Sequence, residues 1–163
     1  MSKLPIFTGI DMGNSTIKVV QLTDILKHPK LINYGSCPTP PQSLVSESDE
    51  SKKVLADTLK KLFRDSGISD RKIKSALPEI SIFSRLVKVP QVEQAQMDDI
   101  IYWQAKNDLP VPIDEVNIAH TIIGESTASD GSKHWDVYRV AAPKMLINHY
   151  LEIFKLARPI ATA

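Results

Sequence analysis

Gly9-Ile10-Asp11-Met12-Gly13-Asn14-Ser15-Thr16-Ile17-Lys18-Val19-Val20-Gln21-Leu22 is the stretch that decides the fold of this chain. Apolar Ile6, Phe7, Ile10 and Met12 lead up to Gly13. β-Branched Thr16, Ile17, Val19 and Val20 resume after it, so the stretch reads as strand, tight turn, strand. Gly13 can take a positive φ, and Asn14 tolerates unusual dihedrals as well. Such a turn points successive backbone N–H groups into one concavity, which suits an anion. Asp11 enters the turn and Lys18 leaves it. A carboxylate and an ammonium at the mouth of an N–H concavity are what a metal-bound phosphate needs. An ordinary exposed hairpin can carry the same residue types.

Two other phosphate loops are excluded. A dinucleotide fingerprint needs three spaced glycines and a following helix, whereas here a strand follows. A Walker loop needs Gly-Lys-Ser/Thr at its end, which is absent. What remains resembles the first phosphate loop of the actin and hexokinase superfamily, in which an Asp-x-Gly hairpin wraps the β- and γ-phosphates of ATP. That resemblance implies phosphate-binding roles for Asp11, Gly13, Asn14, Ser15 and Lys18, with Asp11 reaching Mg through a water.

Working outward, the 163 residues suffice for one domain or two small ones. Hydrophobic residues make up 42% and charged ones 24%, a globular balance. A net charge of +1 argues against general affinity for nucleic acid or an anionic membrane. No apolar run approaches the length of a membrane span. The opening Met1-Ser2-Lys3-Leu4-Pro5 lacks the apolar core of a signal peptide. Cys37 is the single cysteine, so no internal disulfide can form, as suits a reducing compartment.

Beyond the hairpin, Leu31 to Cys37 is a short third strand, and Pro38-Thr39-Pro40-Pro41 a stiff extended connector. Val54, Leu55, Thr58, Leu59, Leu62 and Phe63 recur at three and four, an amphipathic helix that Gly67 ends as a left-handed cap residue. Its lysines read as a solvated face, since no aromatic residues interleave with them. Arg71 to Leu77 alternates as a half-buried strand. The order β-β-β-α-β fits three antiparallel strands, a helix and a parallel return strand.

After Pro78 the pattern changes. Ile80 to Val89 reads as a strand, Gln94 to Asn107 as a helix, Val116 to Ile123 and His134 to Ala142 as a hairpin with Asp130-Gly131 at its tip, and the residues after Pro143 as a second helix. The two helices are expected to cover one face of a three-stranded sheet.

Four features together resemble the PilM family of type IV pilus assembly proteins, over nearly the whole chain. They are the opening loop; Ala76-Leu77-Pro78 with Ser84-Arg85-Leu86-Val87-Lys88-Val89-Pro90; Trp103-Gln104-Ala105 with Leu109-Pro110-Val111-Pro112-Ile113-Asp114-Glu115-Val116; and Val137 to Pro143 with its helix. Gln104 departs from the family's usual Glu, which removes a charge. The resemblance implies an α/β (α+β) fold: a partial actin-like, RNase H-like subdomain over 1–78, an inserted three-stranded β-α-β-β-α subdomain like that of the cell-division protein FtsA over 79–157, and a truncated return strand over 158–163. It implies a cytoplasmic scaffold at the inner membrane, in the machinery of twitching motility and competence. The scaffold binds the N-terminal cytoplasmic tail of a PilN-like bitopic protein in a groove between the two subdomains, alongside other platform proteins. Arg85, Val87, Val89, Ile101 and Ala105 are the candidate groove residues.

The resemblance also implies ATP and Mg as cofactors of full-length relatives. A second phosphate loop and an adenosine loop are absent here, so weak or no ATP binding is expected. An open sheet edge and exposed apolar surface favour self-association. A kinase-like or FtsA-like member of the superfamily is the competing reading, and the Leu-Pro-Val-Pro-Ile-Asp-Glu-Val signature speaks for the scaffold rather than an enzyme. His28, His120, His134 and His149 have no metal-ligand spacing, and no nucleophile elbow appears.

Overall fold

A computed structural model of the protein describes residues 5–23, 28–41, 44, 46, 48–69 and 72–157. The opening stretch forms β1 (Ile6–Met12) and β2 (Thr16–Thr23). They pair antiparallel, with Asp11 opposite Lys18 and Gly9 opposite Val20. The period of two decides what goes inside. Thr8, Ile10 and Met12 on β1, and Ile17, Val19 and Gln21 on β2, are buried, while Asp11, Lys18 and Val20 point the other way.

The first sheet is completed by β3 (Lys30–Pro38) and β4 (Ile73–Ser75), in the order β3-β2-β1-β4. β4 runs parallel to β1 and the other pairs are antiparallel. Between β3 and β4 lies α1 (Asp49–Asp65). Its N-cap Ser48 accepts the Ser51 amide, and Asp49 and Glu50 in the first turn complement the helix dipole. Leu55, Ala56, Leu59, Leu62 and Phe63 form its buried stripe. Gly67 takes φ 67°, the left-handed conformation that a side chain would resist.

α1 comes close to β3 at Gly35. A Cβ there would collide with Ser66 Oγ and lie 3.1 Å from Ser66 Cβ and 3.2 Å from Leu62 Cδ1. Inside, Gln21 is 5% exposed, and its amide is satisfied by donating to Thr8 Oγ1 at 3.2 Å and accepting from Asn33 Nδ2 at 2.8 Å.

The later strands form a second sheet of β5 (Phe83–Pro90), β6 (Val116–Thr127) and β7 (Lys133–Pro143), all antiparallel in the order β5-β7-β6. α2 (Gln94–Asp108) packs on it through Met97 and Ile101, which join Val89 and Val137 in one core cluster. The β6–β7 hairpin turns at Gly131, φ 84°. Ile80 does not belong to β5. Glu79–Ser81 makes a 3-10 turn closed by the Ser81 amide on the Pro78 carbonyl, and Ile80 is left 95% exposed.

The expectation that two helices cover this sheet fails for the last one, α3 (Lys144–Ala157). The chain divides into two compact units, Met1–Ala76 with His149–Ala163 and Leu77–Asn148. α3 passes from the second to the first at His149, so 79–157 is not one unit. The physical tie is between α3 and α1: Lys52 Nζ donates to Glu152 Oε2 at 2.7 Å. Tyr150, Ile153 and Ala157 are buried on the same helix. The expected return strand over 158–163 lies outside the described residues.

Candidate functional site

The hairpin at Gly13 is built differently from the expected nest. Gly13 is not at positive φ; among the described glycines only Gly67 and Gly131 are. Its amide is spent on the Thr16 carbonyl at 3.1 Å, which closes the strand pair around Asn14 and Ser15. Glycine is needed there for closeness, because a Cβ would meet the Thr16 oxygen at 3.0 Å. The remaining amides of the tip are those of Asn14 and Ser15, both exposed residues. Asp11 and Lys18 are exposed and stand opposite each other just below it.

Thr39 fixes this tip. Its hydroxyl donates to the Gly13 carbonyl at 2.6 Å, and its amide to the Ser15 carbonyl at 3.1 Å. The stretch that reads as a stiff connector is thus also a brace for the loop. Tyr150 of α3 is a second neighbour that the sequence does not announce. Burial lifts its phenol above the ordinary range, and the nearby Asp11 carboxylate lifts it further. Tyr150 accordingly stays a protonated phenol at neutral pH.

Three of the five candidate groove residues are interior, and Val87 is half-buried. Val89, Ile101 and Ala105 are at most 2% exposed, and Val87 packs against the core they line. Burial takes Val89, Ile101 and Ala105 out of reach of a partner, so these three are corrected from groove lining to core. Arg85 alone is exposed, with 61% of its side chain in solvent. It meets a carboxylate that sequence spacing did not reveal. Asp108 Oδ2, at the end of α2, accepts from Arg139 Nη2 at 3.0 Å and forms an ion pair with Arg85 Nη1 at 3.1 Å. Arg139 is 2% exposed, and its Nη1 is buried with no hydrogen-bond partner. Gln104 Oε1 is likewise buried and unbonded.

No cluster of three His, Cys, Asp or Glu able to hold a metal ion occurs among the described residues. No helix among them is long and apolar enough to cross a membrane.

Comparison with known proteins then decides the family. The family described as "Type IV pilus assembly protein PilM" matches residues 9–158. The chain belongs to the PilM family. This PilM-family chain superposes on a solved "PilM-PilN type IV pilus biogenesis complex" with TM-score 0.80 and 24% identity, over 96% of its own length and 46% of that chain. It also superposes on the cytoplasmic domain of EpsL, an inner-membrane component of the type II secretion system of Vibrio cholerae. There the TM-score is 0.54 and the identity 10%, over 94% of this chain and 53% of that one. The PilM-family chain therefore spans about half the length of the solved structures it matches. No curated protein matches it in sequence. The shared fold is a mixed α/β arrangement with two sheets, found as part of PilM and of the EpsL cytoplasmic domain.

Proposed function

We propose that this chain is a non-catalytic docking component of the type IV pilus assembly platform, working at the cytoplasmic face of the inner membrane. Its partner is the N-terminal cytoplasmic tail of a PilN-like bitopic protein. The observation that carries this reading is the family match over residues 9–158 together with the fold likeness, at TM-score 0.80, to a PilM–PilN complex. The chemistry is compatible. A short extended tail gains main-chain hydrogen bonds at a free strand edge, and β3 offers nine residues paired on one side only. Leu31 and Tyr34 are exposed along it. Co-purification from membranes tests the partner: the PilN-like protein should be retained with its tail and lost when the tail is deleted. Retention without the tail would overturn the assignment.

The fold belongs, in this reading, to the actin-like group, with Leu77–Asn148 as the inserted FtsA-like module. The hairpin then supplies the phosphate side of an ATP site. Asn14 and Ser15 offer amides, Lys18 a charge, and Asp11 a carboxylate for a hydrated Mg. These groups address phosphates and give the base nothing, and affinity requires burying most of a ligand. Mg·ATP binding by this chain is therefore weak. Equilibrium titration checks it, and a micromolar dissociation constant would contradict it.

A further inference from the structure

We propose that the cleft beside Asp108 binds a carboxylate carried on an apolar residue, either the end of a peptide or a free apolar acid. The cleft, about 410 Å³, lies wholly within the Leu77–Asn148 unit. Ile82, Phe83, Leu109 and Pro110 give it apolar walls, and Arg85 and Arg139 give it a cationic side.

The sheet register produces that cationic side. Arg85 stands directly opposite Arg139 across β5–β7, and His120 opposite Arg139 across β6–β7. Three basic residues thus form one row across three strands. α2 answers with two carboxylates, Asp108 for both arginines and Asp98 for His120, the latter at 3.7 Å. Two guanidinium groups share the single Oδ2 of Asp108, so that triad carries one positive charge, and the exposed Glu79 brings the lining as a whole to neutrality.

A guanidinium presents paired N–H donors that match a carboxylate's two oxygens. Arg139 uses Nη2 on Asp108, while its Nη1 is sealed from solvent without an acceptor. An unbonded buried donor is costly, so a ligand that supplies its acceptor recovers that cost. Nη1 is sealed from solvent, so reaching it takes a side-chain shift in the cleft lining. The ligand carries a single charge. Asp108 within the cleft and Glu79 in its lining oppose a phosphate dianion, and the apolar walls favour a hydrocarbon side chain next to the carboxylate.

The proposal does not rest on the docking role, because its test contains no PilN-like partner. The isotope-labelled full chain is titrated with N-acetyl-leucine and, separately, with N-acetyl-leucinamide while backbone amide shifts are followed. Saturable shifts at Arg85, Asp108 and Arg139 with the acid, and binding about tenfold weaker or more with the amide, are expected. Arg85→Gln, at an exposed position, should keep the spectrum of a folded chain and weaken the acid about tenfold. A peptide ending in Gly-Gly-Leu separates the two sources: tighter binding than N-acetyl-leucine identifies a peptide end, and equal binding a free acid. Equal shifts with acid and amide, equal shifts with inorganic phosphate, or full binding by Arg85→Gln would overturn the proposal.

Discussion

Gly35→Ala tests the packing of the unit that carries the hairpin. The added methyl collides with Ser66 Oγ and meets Ser66 Cβ at 3.1 Å and Leu62 Cδ1 at 3.2 Å. The Ser66 hydroxyl can rotate aside and Leu62 Cδ1 sits at the end of a flexible side chain, but Ser66 Cβ is fixed to the backbone, so β3 and the end of α1 must part by a few tenths of an ångström. Overpacking of this kind costs about 1–3 kcal/mol, or roughly 5- to 150-fold in an opening equilibrium. The second substitution Ser66→Gly removes both Ser66 atoms, and Ser66 sits at φ −88°, ψ −1°, which glycine adopts without strain. The double variant should recover most of the loss. Trp103 and Trp135 both belong to the other unit, so tryptophan fluorescence is blind to this change. Amide hydrogen exchange along β2 and β3 reads it directly. Unchanged exchange in Gly35→Ala, or no recovery in the double variant, would refute the reasoning.

Asp108→Ala should destabilise the second unit by about 2–3 kcal/mol, since it orphans Arg139; the 32% exposure of Asp108 keeps the cost below that of breaking a fully buried pair. Here tryptophan fluorescence in a urea titration is the right probe, and a loss under about 0.5 kcal/mol would mean the pair behaves as a surface one. Burial pushes the Cys37 thiol up, and the Lys61 charge opposes this in part. Alkylation of Cys37 should therefore have a pH midpoint above that of an ordinary thiol and move higher still in Lys61→Met; a midpoint below the ordinary value would contradict this. The hydrogen bond from Lys52, and then its charge, hold Glu152 below the usual glutamate range. A depressed carboxylate contributes stability above its unfolded value and loses it as pH falls through its folded one. Exchange protection in α3 should fade on that acid side, and Glu152→Gln should remove the dependence; identical acid profiles for the two proteins would contradict the tie.

The strands around Gly13 were legible because alternation with a period of two needs no knowledge of a partner. The stripe of α1 and its Gly67 cap were legible for the same reason, being local. What failed was the identity of the surface met. The apolar face of α3 announces burial but not against which unit, and the Lys52–Glu152 contact that settles it spans most of the chain. Val89 and Ile101 are apolar whether they line a groove or a core, so spacing could not separate the two. Thr39 bracing Gly13 and Ser15, Tyr150 beside Asp11, and Arg139 on Asp108 join residues far apart in sequence, and no periodicity encodes such meetings. The hairpin was legible as strand, turn, strand, whereas the use of its amides was not, because the Gly13 amide is taken by the Thr16 carbonyl.

Calorimetric titration of the purified chain with a synthetic peptide of the PilN-like N-terminal tail tests the docking role most directly. Saturable one-to-one binding that disappears when the peptide sequence is scrambled is the predicted result. Absence of heat with the native tail, or equal binding of the scrambled peptide, would contradict the account.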